Sequence, residues 1–207
     1  MHRAWGQRMT CDPAASDLHH RIIEALKRRY DAPIMDNVQR AAYVECLIAE
    51  ALGPCWHWTG ALDWGLVPWD CEHSPSGARI EIKQAAARQL WDGTSPAPPR
   101  KPNFDIAPRR WVQSGSHWTE LPKPMRAADV YVFAWHGERD REIADHRDAS
   151  QWQFYVVTES KLPPSQKTIS LSALRSLVPA CGFTDLLRNV EHSLPARHRI
   201  KIALESS

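Results

Sequence analysis

The stretch WDCEHSPSGARIEIKQ, residues 69–84, constrains the fold more than any other part of the chain. Trp69, Cys71, Ile80 and Ile82 alternate with Asp70, Glu72, Arg79, Glu81 and Lys83, the period-two pattern of two half-buried strands. Between them SPSG puts Pro75 and Gly77 at the second and fourth positions of a type I turn, where each is favoured. A register symmetric about Pro75 and Ser76 sets Glu72 opposite Arg79 and Asp70 opposite Glu81. A three-residue loop with a glycine bulge would set Asp70 opposite Ile82 instead. In the symmetric register Glu72 and Arg79 attract. Asp70 and Glu81, with Cβ atoms roughly 4.5–5.5 Å apart, repel unless a cation lies between them. Lys83 follows on the same face.

Around this hairpin the chain alternates between helical and strand patterns. SDLHHRIIEALKRRY, with Ser16 or Asp17 as cap and apolar residues at 18, 22, 26 and 30, predicts a helix over 16–30. Asp36 as N-cap and Gly53 as C′ residue bound a second helix. Short strand candidates carry Trp56, Trp58, Trp64 and Trp69, and AAARQLW after the hairpin reads as a short helix. Residues 92–126, rich in proline and basic residues, read as a long loop or irregular excursion. ADVYVFAW and WQFYVVT are core strands, and SLSALRSLV and FTDLLRNVEHSL closing helices at about 170–194. The order predicts one mixed α/β or α+β domain, its core at about 36–160.

Within the second helix, at about 100° per residue, Val38, Ala41, Ala42, Ile48, Ala49 and Leu52 form one apolar arc. Glu45 lies in the middle of that arc, with Arg40 and Glu50 on the polar side. A glutamate on a buried face needs a partner. Either it pairs with an arginine at a partly exposed position, or it points at the hairpin acids.

Composition sets the class. With 43% hydrophobic and 24% charged residues, 207 residues make a globular chain with length enough for a real core. No apolar run is long enough for a secretory signal or a membrane span, so a cytoplasmic protein with no membrane partner is expected. Five cysteines without a disulfide rhythm suit reduced thiols. The net charge is only +2, yet residues 79–126 hold nine Lys/Arg against four acids, while 127–160 hold three against seven. On charge alone the middle of the chain is either the anion-facing part or a solvated basic loop.

A glutamate on an early helix, an aspartate eleven residues before a Glu-x-Lys strand, and IEIKQ itself resemble the PD-(D/E)XK nuclease superfamily, to which restriction endonucleases and many DNA repair nucleases belong. The resemblance covers residues 36–91 and rests on Glu45, Asp70, Glu81 and Lys83, with Gln84 directly after. Trp69 stands where the superfamily usually has a proline, and Asp63 is a rival for the aspartate role. The resemblance implies a restriction endonuclease-like core, a central mixed β-sheet flanked by helices in the order αβββαβ, with additional C-terminal helices. It implies a Mg²⁺- or Mn²⁺-dependent endonuclease that hydrolyses DNA phosphodiester bonds. Asp70 and Glu81 are then the metal ligands, with Glu45 a direct or water-mediated one. Lys83 orients the attacking water and stabilises the transition state. Gln84 holds a water or backbone nearby. Arg100, Lys101, Arg109 and Arg110, with Lys123 and Arg126, would hold the DNA backbone, and Trp111 or Trp118 would stack on a base or wedge into a duplex. Whether the substrate is duplex, single-stranded or branched DNA, or RNA, is left open. Cutting both strands with one site per chain would favour a homodimer.

Two rival readings belong beside this one. Cys55-x-His57 and Cys71-x-His73 supply donors for a zinc-stabilised nucleic-acid-binding module, though strand alternation puts Cys71 and His73 on the face away from Asp70. A catalytically inactive nuclease-like scaffold is the other, against which stands the presence of all four motif residues. There is no Gly-x-Ser-x-Gly and no phosphate-binding glycine loop, which argues against a serine hydrolase or an ATPase.

Overall fold

The computed structural model describes residues 13–61, 67–114 and 117–198. Contacts divide the chain into two compact units, Met1–Ala32 and Pro33–Ser207, where the sequence predicts one domain. In the first, helix α1 (Pro13–Tyr30) starts ahead of the expected caps, so Ser16 and Asp17 fall inside it. Its apolar stripe, Leu18, Ile22, Leu26 and Tyr30, is exposed.

In the second unit, helix α2 (Asn37–Leu52) begins where the Asp36 carboxylate accepts from the backbone N–H groups of Val38 and Gln39, at 2.9 and 3.0 Å. It ends at Gly53, whose φ of +88° is open to glycine at no steric cost. Three strands follow: β1 (Trp56–Trp58), β2 (Cys71–His73) and β3 (Arg79–Ala86). The expected hairpin forms in the symmetric register, with Cys71 opposite Ile80 and Glu72 opposite Arg79. Gly77, at φ +68°, closes its turn by donating to His73 O at 2.8 Å.

Beyond β3 the chain departs from expectation. AAARQLW is not a helix: Ala85 and Ala86 continue β3, pairing with Trp135 and His136. Residues 87–91 then bend away, tied by the Arg88 guanidinium to the carbonyls of Thr94 and Asp92. Among the described residues no helix therefore connects β3 to the next strand of its sheet. The excursion at 92–126 is not a loop either. It holds β4 (Asn103–Asp105) and a two-stranded ribbon, β5 (Arg109–Ser114) with β6 (His117–Met125). Pro122 and Pro124 are tolerated there because each strand of a ribbon has a neighbour on one side only.

Strands β7 (Val130–His136) and β8 (Trp152–Thr158) complete a mixed five-stranded sheet of order β1-β2-β3-β7-β8, in which only β3 and β7 run parallel. Strand β9 (Thr168–Ser170) pairs with β4, and α3 (Leu171–Leu177) and α4 (Leu186–Ser193) close the described chain. Strand alternation gives the sheet two buried faces. Ile80, Ile82, Val130, Val132 and Phe154 pack with residues of α2 and α4, including Val44, Ile48 and Val190. Tyr131, Phe133 and Tyr155 pack with Phe104, Ile169 and Leu174 on the β4–β9 side. No helix among the described residues is long and apolar enough to cross a membrane. Cys46, Cys55, Cys71 and Cys181 are free thiols.

Candidate active site

The ladder of β2 stops at Cys71, and the chain bends at Asp70. Asp70 N donates to Ile80 O at 2.8 Å, and its carboxylate Oδ2 accepts from Ile82 N at 2.6 Å. The side chain thus takes the place of the next rung and is fixed against β3. Glu81 and Lys83 lie on the face of β3 that alternation assigns to the β4–β9 side, opposite Tyr131 and Phe133 of β7. Their side chains form an ion pair. Asp70, Glu81 and Lys83 line one cleft, together with Trp69, Asp105, Arg109, Arg126 and Tyr131.

Glu45 comes from the opposite side of the sheet, on α2. It is half-buried, and its Oε2 accepts from Trp58 Nε1 at 3.0 Å, so its partner is an indole rather than an arginine. Burial raises its pKa, against the lowering effects of the Trp58 hydrogen bond and of Lys83. Asp70 feels both acids. Burial first, then the charges of Glu81 and Glu45, push its carboxyl up to about 8. Lys83 shows the complementary effect. Burial works to lower its pKa, but the charge and hydrogen bond of Glu81, with Asp70 and Asp105 behind, hold it above the usual lysine value.

The charges of Glu81 and Glu45 both act on Asp70, and a cation beside Asp70 would relieve that repulsion. Among the described residues, no three His, Cys, Asp or Glu side chains converge closely enough to hold a metal as they stand. The donor set still fits a hard divalent ion, because Mg²⁺ is usually bound through one or two carboxylates, with waters and substrate phosphate completing the octahedron. Asp70 and Glu81 are the two carboxylates of the cleft that would hold such an ion, while Glu45 is engaged by Trp58.

Other expected positions fall elsewhere. Gln84 points to the α2 face, where its Oε1 accepts from Arg40 Nε at 2.7 Å and its Nε2 donates to Asn37 Oδ1 at 3.2 Å. It belongs to a polar network rather than to the acid cluster. Arg40, expected on the polar side of α2, is buried in that network and also bonds Asn37 Oδ1 and Gln89 Oε1. Burial and the neighbouring Arg100 lower its pKa to about 10 against the support of Asp36. Val38, expected in the apolar arc, is exposed. Arg100 secures the 87–92 turn, donating to Ala87 O at 3.0 Å and to Asp92 Oδ1 at 2.5 Å. Arg126 is buried and donates to the carbonyls of Ile106 and Pro163, so it braces the cleft wall. Lys101 is exposed, as are Arg109 and Arg110, which pair with Asp105 and Glu120. Asp63 and Trp64 lie outside the described residues.

The zinc arrangement does not assemble. Strand register puts His57 opposite Glu72, while Cys71 and His73 oppose Trp58 and Trp56, so the two histidines occupy opposite faces. His73 Nδ1 is engaged by Ser76 Oγ at 2.9 Å.

The cleft also holds residues that the sequence reading missed. Asp105 sits between buried Phe104 and Ile106, an alternation that could have placed it on an open face. Tyr131 gave no signal, because every residue of β7 is buried. No protein-family model, curated protein or solved structure matches this chain.

Proposed function

We propose that the chain is a metal-dependent endonuclease with a restriction endonuclease-like core, hydrolysing phosphodiester bonds in DNA. The observation that carries this reading is the single cleft lined by Asp70, Glu81 and Lys83. An α2 helix bearing Glu45, the antiparallel β1-β2-β3 meander and a β7 parallel to β3 support it. A bound Mg²⁺ or Mn²⁺ would supply a water of lowered pKa and positive charge at the scissile phosphate. Asp70 and Glu81 hold the ion, Asp70 being fixed by Ile82 N–H. Glu45 orients a water from the α2 side. Lys83, kept cationic by Glu81, faces the charge that develops on the phosphate.

Cleavage of supercoiled plasmid and of single-stranded DNA with Mg²⁺, Mn²⁺ or EDTA tests this. Cutting that needs the metal and is abolished in Asp70→Asn and Lys83→Ala supports the reading; cutting that survives both substitutions overturns it. One observation favours a second reading, an inactive nuclease-like scaffold: no three acidic side chains among the described residues converge tightly enough for a metal. That scaffold would bind DNA without cutting it under any metal.

A further inference from the structure

The ribbon β5–β6 leaves its aromatic residues without cover. Strand β6 is exposed along its length apart from half-buried Leu121, and Trp111 and Trp118 are 51% and 63% exposed. Trp111 opposes Glu120, and Gln113 opposes Trp118. Residues two apart on a strand share a face, so the two tryptophans share one and lie diagonally across the strands, at a Cβ separation of roughly 7–8 Å. A two-stranded ribbon is marginal by itself, and large exposed aromatics on it mark a surface that meets something.

Three observations identify the partner. The base of the ribbon reaches the candidate site, since the paired residues Arg109 and Met125 line the same cleft as Asp70, Glu81 and Lys83. The ribbon carries Arg109, Arg110 and Lys123, and the Arg110–Glu120 pair is exposed and therefore weak enough for a phosphate to replace Glu120. The contact chemistry is the face of an indole, whereas a base inside a duplex offers only its edge to a groove, which hydrogen-bonding side chains read. Bases outside the stack offer their π-faces, and aromatic platforms beside a basic track are how unpaired strands are held.

We infer that the ribbon is a stacking platform for unpaired bases, so the substrate is a nucleic acid with a single-stranded segment next to the cleaved bond. This rests on the nuclease reading of the adjoining cleft. Trp118 and Trp111 stack two bases of the strand, and the scissile phosphate lies at the ribbon's base.

Fluorescence anisotropy in EDTA tests the inference without cleavage. The probes are a labelled oligothymidylate longer than the roughly 4–16 nucleotides of a single-strand site, and a duplex of equal length. The single strand binds more tightly than the duplex. Trp118→Ala and Trp111→Ala each weaken single-strand binding about 5- to 150-fold and leave duplex binding unchanged, and Trp118→Phe restores most of the affinity. Equal affinity for the two probes, or alanine variants that bind the single strand as wild type does, overturns the inference. The two proposals fail separately. Tryptophan-dependent single-strand binding without metal-dependent cutting would count against the hydrolytic reading alone. Cutting with tryptophan-independent binding would count against the platform alone.

Discussion

The indole of Trp58 donates to Glu45 across 3.0 Å, and it is this bond that lets a glutamate sit on the buried side of α2. Gly60 makes room for it: a Cβ there would stand 2.7 Å from Trp58 Nε1 and 2.8 Å from Cε2. Gly60→Ala therefore displaces the indole and leaves Glu45 without its donor. The expected loss of stability is about 1–3 kcal/mol by urea denaturation. In a double-mutant cycle Glu45→Gln adds less to Gly60→Ala than it costs alone.

Asp70 makes the metal-free protein sensitive to base. Its carboxyl is raised by burial and by Glu81 and Glu45 to about 8, so between the ordinary aspartate range and that value the folded state binds the extra proton. The contribution of Asp70 to stability is then fully present below about pH 4 and is lost as the pH rises through about 8. Thermal unfolding across that window should show the decline in wild type, a flattened profile in Asp70→Asn, and recovery on adding Mn²⁺.

Lys83 and Glu81 neutralise one another. Lys83→Met takes the ion-pair partner from half-buried Glu81, and the protein should lose on the order of 1–3 kcal/mol together with cleavage. Glu81→Gln in the same background should restore part of the stability and none of the activity, as read by denaturation and plasmid cutting side by side.

Arg40 and Gln84 tie α2 to β3. Arg40→Leu strands the buried acceptor of Gln89, removes the bonds to Asn37 and Gln84, and should cost on the order of 3 kcal/mol. Stability falls while the metal affinity of the fraction that folds stays as in wild type, a split that calorimetry on the soluble variant would show.

The legible parts of this chain were those where local chemistry and burial agree. Alternation across SPSG gave the hairpin, with the observed register one of two it allowed, and Asp36 and Gly53 gave both ends of α2, because a cap or a turn depends on neighbouring residues alone. Arg40 and Gln84 were misplaced because they bond each other, and Arg40 bonds Gln89, across 44 and 49 residues of sequence. AAARQLW has helical composition, yet pairing with β7 decided Ala85 and Ala86, and tertiary pairing outweighs a weak propensity. The ribbon was hidden by its prolines. Of the candidate site, Asp70, Glu81 and Lys83 were readable as a unit; Asp105 and Trp58 join it through contacts that no local pattern encodes.

In the proposed function, Asp70 and Glu81 together hold a divalent cation. Mn²⁺ binding measured by calorimetry in buffers of different ionisation enthalpy tests it most directly, because it counts the protons released. A carboxyl raised to about 8 must shed its proton to bind metal. Release of close to one proton per ion is expected near neutral pH, with a fall toward zero on the alkaline side of that value and no release in Asp70→Asn. Absence of binding, or binding whose proton count is the same in wild type and Asp70→Asn, would contradict it.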